Sequence, residues 1–208
     1  PLLVSSDHRG VVDGPDIVFT GSEFGVAWQD YRDGNGEIYF ARVDSAGSSI
    51  IGAEERLSFG ADYSKQPSLD WTGSEFGVAW LDGRSGSSEI YFSVISADGE
   101  AMVSERFLLS DSWGPDLVWD EDVFALTYGC MHGTTHDQCI QRLDIFGNLL
   151  GGETTVMGGS TVEYFYQAKL VRAGSGFGVT ALNMDLGFTL ANSVFVAAGT
   201  DGAPFYPL

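Results

Sequence analysis

Asp16 and Asp116 are the residues whose type and spacing most directly suggest chemistry. They occupy equivalent places in two copies of an internal repeat, and the other two copies carry Ser68 and Lys169 there. On strands that face a common channel, two carboxylates and nearby carbonyl oxygens would suit a hard cation such as Ca²⁺. We therefore predict Asp16 and Asp116 as metal ligands, with Ca²⁺ in the channel as the one cofactor. The alternative is that Lys169 neutralises both carboxylates as an ion pair.

The histidines give little support to catalysis. In the spacing His132-x-x-x-His136 on a predicted hairpin loop, an exposed pair is favoured over a transition-metal clip. The chain lacks both the H-E-x-x-H pattern and the G-x-S-x-G elbow of hydrolases. Carboxylate pairs for glycoside hydrolysis can be drawn in many ways among 29 Asp and Glu residues, so no catalytic residue is assigned.

The segment Asp30–Glu37 is dense in oxygen donors but lacks the spacing of an EF-hand loop. Its Arg32 and Glu37 recur one repeat later as Arg84 and Glu89. This recurrence favours a structural ion pair across each hairpin over a calcium loop.

Cys130 and Cys139 are the two cysteines of the chain and lie close together in a predicted hairpin. We predict a disulfide between them, which requires an oxidising compartment. An extracellular or periplasmic location follows. It further assumes that a signal peptide once preceded Pro1 and has been removed.

Charge and composition limit the partners. The chain of 208 residues has 10 Lys and Arg against 29 Asp and Glu, a formal net charge of −19, which repels phosphate backbones and argues against nucleic acid. No apolar run approaches the roughly 18 residues that a membrane helix needs. A glycan or a protein surface remains as the expected partner, and the oligomeric state stays open.

An internal repeat of about 50 residues positions these candidates. The segments Pro15–Asp44, Pro67–Ser96 and Pro115–Asp144 align, the first two share T-G-S-E-F-G-V-A-W, and a divergent fourth copy begins at Ala168. Their β-branched and aromatic residues, with Gly-bearing turns and no helical period, predict four antiparallel strands in each copy.

Four such units predict an all-β fold, a single four-bladed β-propeller domain. The expected blades are 15–66, 67–114, 115–167, and 168–208 with 1–14. Pro1–Ser6 reads like the last strand of the earlier copies, so it is expected to pair in the outer position of the last blade and close the ring.

The pattern P-x-x-x-W-x-G-x-x-F-x-V-x-W-x-D-x-R-x-G-x-x-E-I-Y-F resembles tandem propeller repeats of secreted bacterial proteins. It is also similar to the repeats of the TolB propeller, a periplasmic protein that binds other proteins. A closed ring of four blades would be similar in shape to hemopexin-like domains, whose sequence signature is absent. The resemblance implies a propeller and says little about ligands.

The long, varied loops between the second and third strands of each copy, and those between blades, share one face of a propeller, where binding usually occurs. The predicted ligand-binding residues on this face are Tyr31, Arg32, Tyr63, Arg84, Trp113, His132, Tyr164 and Tyr166. Aromatic side chains there suit sugars or protein surfaces. The leading hypothesis is a non-catalytic module that binds a glycan or a protein. The alternatives are a glycosidase-like hydrolase with paired carboxylates and a structural assembly module.

Overall fold

The computed structural model describes residues 2–5, 14–174, 176–185 and 191–199. Regular structure in these ranges is entirely β-strand, and they contain no helix that could cross a membrane. The strands form four antiparallel sheets in which each strand pairs with its neighbour in sequence. The all-β prediction is therefore confirmed.

The four sheets follow one another along the chain. The first sheet comprises β1 (Asp16–Phe19), β2 (Glu23–Asp30), β3 (Glu37–Asp44) and β4 (Ile50–Arg56). The second comprises β5 (Ser64–Trp71), β6 (Glu75–Asp82), β7 (Glu89–Ser96) and β8 (Ala101–Ser110). The third comprises β9 (Trp113–Asp120), β10 (Val123–His132), β11 (Thr135–Leu143) and β12 (Leu149–Met157). The fourth comprises β13 (Glu163–Ala173), β14 (Gly176–Asp185) and β15 (Ala191–Gly199).

The repeated Phe-Gly pair explains how successive sheets pack. Phe76 is fully buried and lies against the first sheet, with its ring 4.9 Å from that of Phe40. A Cβ added to Gly25 would lie 2.5 Å from the Phe76 ring, so only glycine leaves room for it. Gly77 receives Phe124 of the third sheet in the same way, with a 2.4 Å approach. The motif thus encodes contact between sheets.

Two finer predictions, the closing strand and a fourth strand in the last sheet, are not seen in the described residues. The described part of the predicted closing strand, Leu2–Ser5, forms no strand, and Ser5 instead donates a hydrogen bond of 2.8 Å to Asp30 of the first sheet. Pro1 and Ser6 lie outside the described residues. The described part of the fourth sheet has three strands. The structure shows stacked sheets of propeller type, while the four-blade count and ring closure remain predictions.

Candidate functional site

The first strands of successive sheets are held together by side chains at the equivalent positions found in the sequence. The Leu69 N–H donates to Asp16 Oδ2 at 2.9 Å, and the Leu117 N–H donates to Ser68 Oγ at 3.0 Å. The Leu170 N–H completes the series by donating to Asp116 Oδ2 at 2.6 Å. Each of these side chains therefore links its own sheet to the next one. These bonds could not be predicted from residue type, because they depend on the stagger between sheets.

Ser68 brings the two predicted metal ligands close together. Its hydroxyl lies 3.3 Å from Asp16 Oδ2 and 3.4 Å from Asp116 Oδ1, which places these two oxygens within about 7 Å of each other. Lys169 Nζ donates to Asp116 Oδ1 at 2.6 Å, as the ion-pair alternative expects. The Asp116 side chain is 6% exposed and that of Lys169 is 68% exposed.

Burial shapes the proton affinity of this group. It raises the pKa of the Asp116 carboxyl, and the ammonium of Lys169 only partly offsets the effect. Burial also lowers the pKa of Lys169, but the Asp116 carboxylate reverses this and leaves it raised. Asp70, farther along β5, also has a raised pKa because it is buried, and it accepts the Trp119 N–H at 2.7 Å.

A cavity of about 350 Å³ opens at the start of the first strands. All four sheets contribute to its wall, including Asp16 and Lys169. We call this the mouth cavity. It presents a carboxylate and an ammonium to any molecule that enters, and Asp116 lies behind them.

An aromatic cleft of about 560 Å³ adjoins the mouth cavity. It is lined by four predicted binding residues together with other side chains of the same loops: Tyr63, Lys65, Gln66, Leu81, Ser88, Trp113, Met131, His136, Tyr164 and Tyr166. Gln66 and Tyr166 line both cavities, so the two adjoin, and together they are called the groove. The cleft thus offers several aromatic rings next to polar groups, which suits the faces and hydroxyls of a sugar.

Trp113 and His136 fix the wall of this cleft. The Trp113 indole N–H donates to the Phe165 carbonyl at 2.9 Å and so ties the third sheet to the fourth. The His136 ring centroid lies 5.8 Å from that of Trp113 and 6.4 Å from that of Tyr164. Lys65 Nζ lies 4.7 Å from the centre of the Tyr63 ring.

The other four predicted binding residues lie away from both cavities. Arg32 binds Asp30 and Glu54, each at 2.6 Å, and Arg84 binds Asp82 at 2.8 Å and Glu105 at 2.6 Å. The structural ion pair was thus predicted with the wrong partners. Tyr31 packs beside Gly36.

Glu37 illustrates why those partners were mistaken. It is buried and binds Arg56 at 2.9 Å, with Ser58 as a further hydrogen-bond donor. The sequence offers several acidic residues near each arginine, and strand pairing alone decides between them.

His132 lies between two carboxylates. Its Nδ1 is 2.7 Å from Asp137 Oδ2 and its Nε2 is 2.8 Å from Glu153 Oε1. These contacts, with that to Asp137 first, raise the pKa of His132.

Cys130 and Cys139 form the predicted disulfide across the β10–β11 hairpin. Their sulfurs lie within 4.8 Å of ligand atoms of His132 and Glu153. Since both thiols are used in the disulfide, this cluster offers no thiolate to a metal.

No family model matches the chain, and no curated protein matches it. Solved structures do match its fold. A thermostable family-43 glycoside hydrolase is 13% identical with a TM-score of 0.64, over 93% of this chain and 74% of the other. An exo-1,5-α-L-arabinanase from a bovine ruminal metagenomic library is 9% identical with a TM-score of 0.62, over 98% and 83%.

An α-L-arabinofuranosidase from Podospora anserina, solved with cellotriose, is 11% identical with a TM-score of 0.61 over 96% of this chain and 69% of the other. At such low identity these likenesses show the fold alone, which is of β-propeller type. The repeat families that the sequence resembles are not named among these structures, so that resemblance stays a prediction.

Proposed function

We propose that this chain binds a glycan across the mouth cavity and the aromatic cleft and hydrolyses a glycosidic bond there. The observation that carries the proposal is the carboxylate pair Asp16 and Asp116 beside the mouth cavity and the adjoining aromatic cleft. Because Ser68 contacts both, their oxygens lie at most about 7 Å apart, a limit that is compatible with the spacing of a glycoside hydrolase. The similar folds of an arabinanase and an arabinofuranosidase support this function over a purely structural module.

The two carboxyl groups differ in a way that suits two roles. Asp16 lines the mouth cavity and is positioned to act as base or nucleophile. Asp116 accepts hydrogen bonds from Lys169 Nζ and the Leu170 N–H, and its pKa is raised by burial, so one proton is held between it and Lys169. In the reaction, the proton held between Lys169 and Asp116 would pass to the leaving oxygen as its bond to the sugar carbon breaks, while Asp16 would take a proton from the water that attacks that carbon.

A non-catalytic glycan-binding module is the second candidate. It is favoured by the structural role of both carboxylates, since each accepts a backbone N–H from the next sheet and so links two sheets. Asp116 is also shielded from the mouth cavity, whose wall includes Lys169 instead. Such a module would use the same groove without turnover.

Release of reducing ends from arabinan and xylan oligosaccharides separates the candidates. Asp16→Asn should lower the rate at least about 100-fold while leaving binding in place. Asp70→Asn is the matched control, because the Asp70 carboxylate of β5 also accepts an N–H from the next sheet but lines neither cavity. Binding without hydrolysis by the wild type would favour the second candidate. Absence of both would overturn the proposal.

Ca²⁺ between Asp16 and Asp116 stays a prediction. Lys169 already supplies one positive charge to Asp116, and the second carboxylate leaves room for a cation on the Asp16 side. Thermal unfolding with excess calcium and then with chelator tests it. Calcium-dependent stabilisation that Asp16→Asn removes would support the site, and equal melting in both conditions would reject it.

The groove also bears on location and domain organisation. We propose that the protein is extracellular or periplasmic, where glycans and disulfides are both found. Residues 1–208 would form one propeller domain with four blades. A crystal structure in which the first and fourth sheets do not meet would contradict the closed ring.

A further inference from the structure

The entrance to each sheet has an unusual backbone. The residue two places before Asp16, Ser68, Asp116 and Lys169 has a left-handed φ in every sheet. These four residues, with φ between 49° and 59°, are Gly14, Gln66, Gly114 and Gln167. All four line the mouth cavity and together form its rim.

Glycine adopts this conformation without strain, whereas glutamine does not. The first and third sheets use glycine at the rim, so the fold itself does not require a side chain there. The second and fourth sheets carry glutamine despite the strain. Strained residues cluster at binding sites, and of the described non-glycine residues with a positive φ, Gln66 and Gln167 are the two that line the mouth cavity.

The glutamines stand at shifts in strand register, and a shift also occurs beside Gly114 in the third sheet. In the second sheet the shift lies between Lys65 and Ser68, and in the fourth it lies between Tyr166 and Lys169. Such bulges re-aim side chains next to active sites. Gln66 lines both the mouth cavity and the aromatic cleft, and its amide makes a long hydrogen bond of 3.4 Å to the Tyr166 hydroxyl.

We propose that Gln66 and Gln167 are ligand-contacting residues that select a neutral oligosaccharide, with Gln66 at the junction of two sugar-binding positions. This inference rests on the proposed function. A carboxamide both donates and accepts, so it matches the hydroxyl groups of a neutral sugar. The net charge of −19 would repel a chain of uronic acids. Two adjoining cavities fit an extended chain better than a single sugar.

The proposal predicts that replacing these glutamines by glycine has opposite effects on stability and binding. Gln66→Gly should raise the melting temperature by about 1–3 °C, since it relieves backbone strain. The same variant should weaken binding of neutral arabino- or xylo-oligosaccharides about tenfold. Gln167→Gly should follow the same pattern. Gln66→Asn should retain part of the affinity, because asparagine keeps the carboxamide and tolerates a positive φ.

Glu121→Gly is the matched control. Glu121 has a φ of 60° in the turn between β9 and β10, where the first two sheets have Gly21 and Gly73. It lines neither cavity and forms only a surface ion pair with Arg172. Glycine there should raise the melting temperature similarly and leave the affinity unchanged.

Titration calorimetry with neutral and galacturonic-acid oligosaccharides of equal length gives the decision. Tight binding of the neutral chain that Gln66→Gly weakens supports the inference. Unchanged affinity in Gln66→Gly and Gln167→Gly would overturn it while leaving the proposed function in place, as would preference for the acidic chain. A wild type that binds neither sugar would overturn the proposed function itself. Glycine variants that are no more stable than the wild type would refute the strain on which the inference is built.

Discussion

The hairpin corner of a sheet, where its second and third strands reach Asp30, Asp82 or Cys130, has the same strand register in the first three sheets, but the third sheet continues its pairing further and uses different side chains there. In the first sheet Trp28 stacks on Tyr39, its indole N–H donates to Asp30, and Arg32 lies 4.2 Å from the centre of the Tyr39 ring. The second sheet repeats this corner with Trp80, Asp82, Arg84 and Tyr91.

In the third sheet strand register places Tyr128 opposite Cys139, as Trp28 lies opposite Tyr39. Cys130 and Cys139 stand in the places of Asp30 and Tyr39 and form a disulfide, and His132 replaces the arginine while keeping a glutamate partner, Glu153. A corner that can be held either by ion pairs or by a covalent bond serves the fold. Function is therefore better assigned to the groove, where aromatic side chains from different sheets converge.

Asp82→Ala should have the largest effect on this comparison. The Asp82 side chain is fully buried and accepts from Arg84, Ser64 and the Trp80 indole, which keeps its pKa low although burial alone would raise it. Its removal should cost about 3 kcal/mol, because buried donors lose their partner. Denaturant unfolding measures this, with the exposed Asp98→Ala as control at under about 0.5 kcal/mol. A loss below 1 kcal/mol for Asp82→Ala would show that the corner is not held by its ion pairs.

Loss of the disulfide should come next. Replacing Cys130 and Cys139 by alanine should cost about 2–3 kcal/mol in the chain-entropy model, since the bridge closes a short loop. A reducing agent should destabilise the wild type by a similar amount and leave the double variant unaffected. Titration of the unfolded, unreduced protein should find no free thiol, and two thiols would contradict the bridge.

His132 should give the smallest effect and one that depends on pH. Its pKa is raised in the folded protein, so its stabilising charge is fully present below about pH 6.5 and is lost as pH rises through the raised value. Because the side chain is 46% exposed, the change should stay under about 1 kcal/mol. His132→Arg restores the residue of the first two corners and should abolish this pH dependence. An unchanged pH profile in that variant would show that another group titrates.

The sequence predicted the repeated sheets and the disulfide because both depend on local patterns. The recurring Phe-Gly pair marks where sheets meet, and the hairpin places Cys130 near Cys139. It also marked the aromatic residues that converge in the cleft. The partners of Arg32 and the bonds of Asp16 to the next sheet were out of reach, since both depend on stagger between strands or sheets. The left-handed φ of Gln66 likewise follows from a bulge that composition does not signal.

We propose that the groove, and not the hairpin corners, binds the glycan. The most direct measurement compares the affinity of a neutral arabino-oligosaccharide for Tyr166→Ala and Tyr31→Ala by titration calorimetry. Tyr166 lines both cavities, whereas Tyr31 lies beside Gly36 in the first corner and lines neither. We expect Tyr166→Ala to weaken binding about tenfold or more and Tyr31→Ala to leave the affinity unchanged. Equal loss in both variants, or loss in Tyr31→Ala alone, would contradict it.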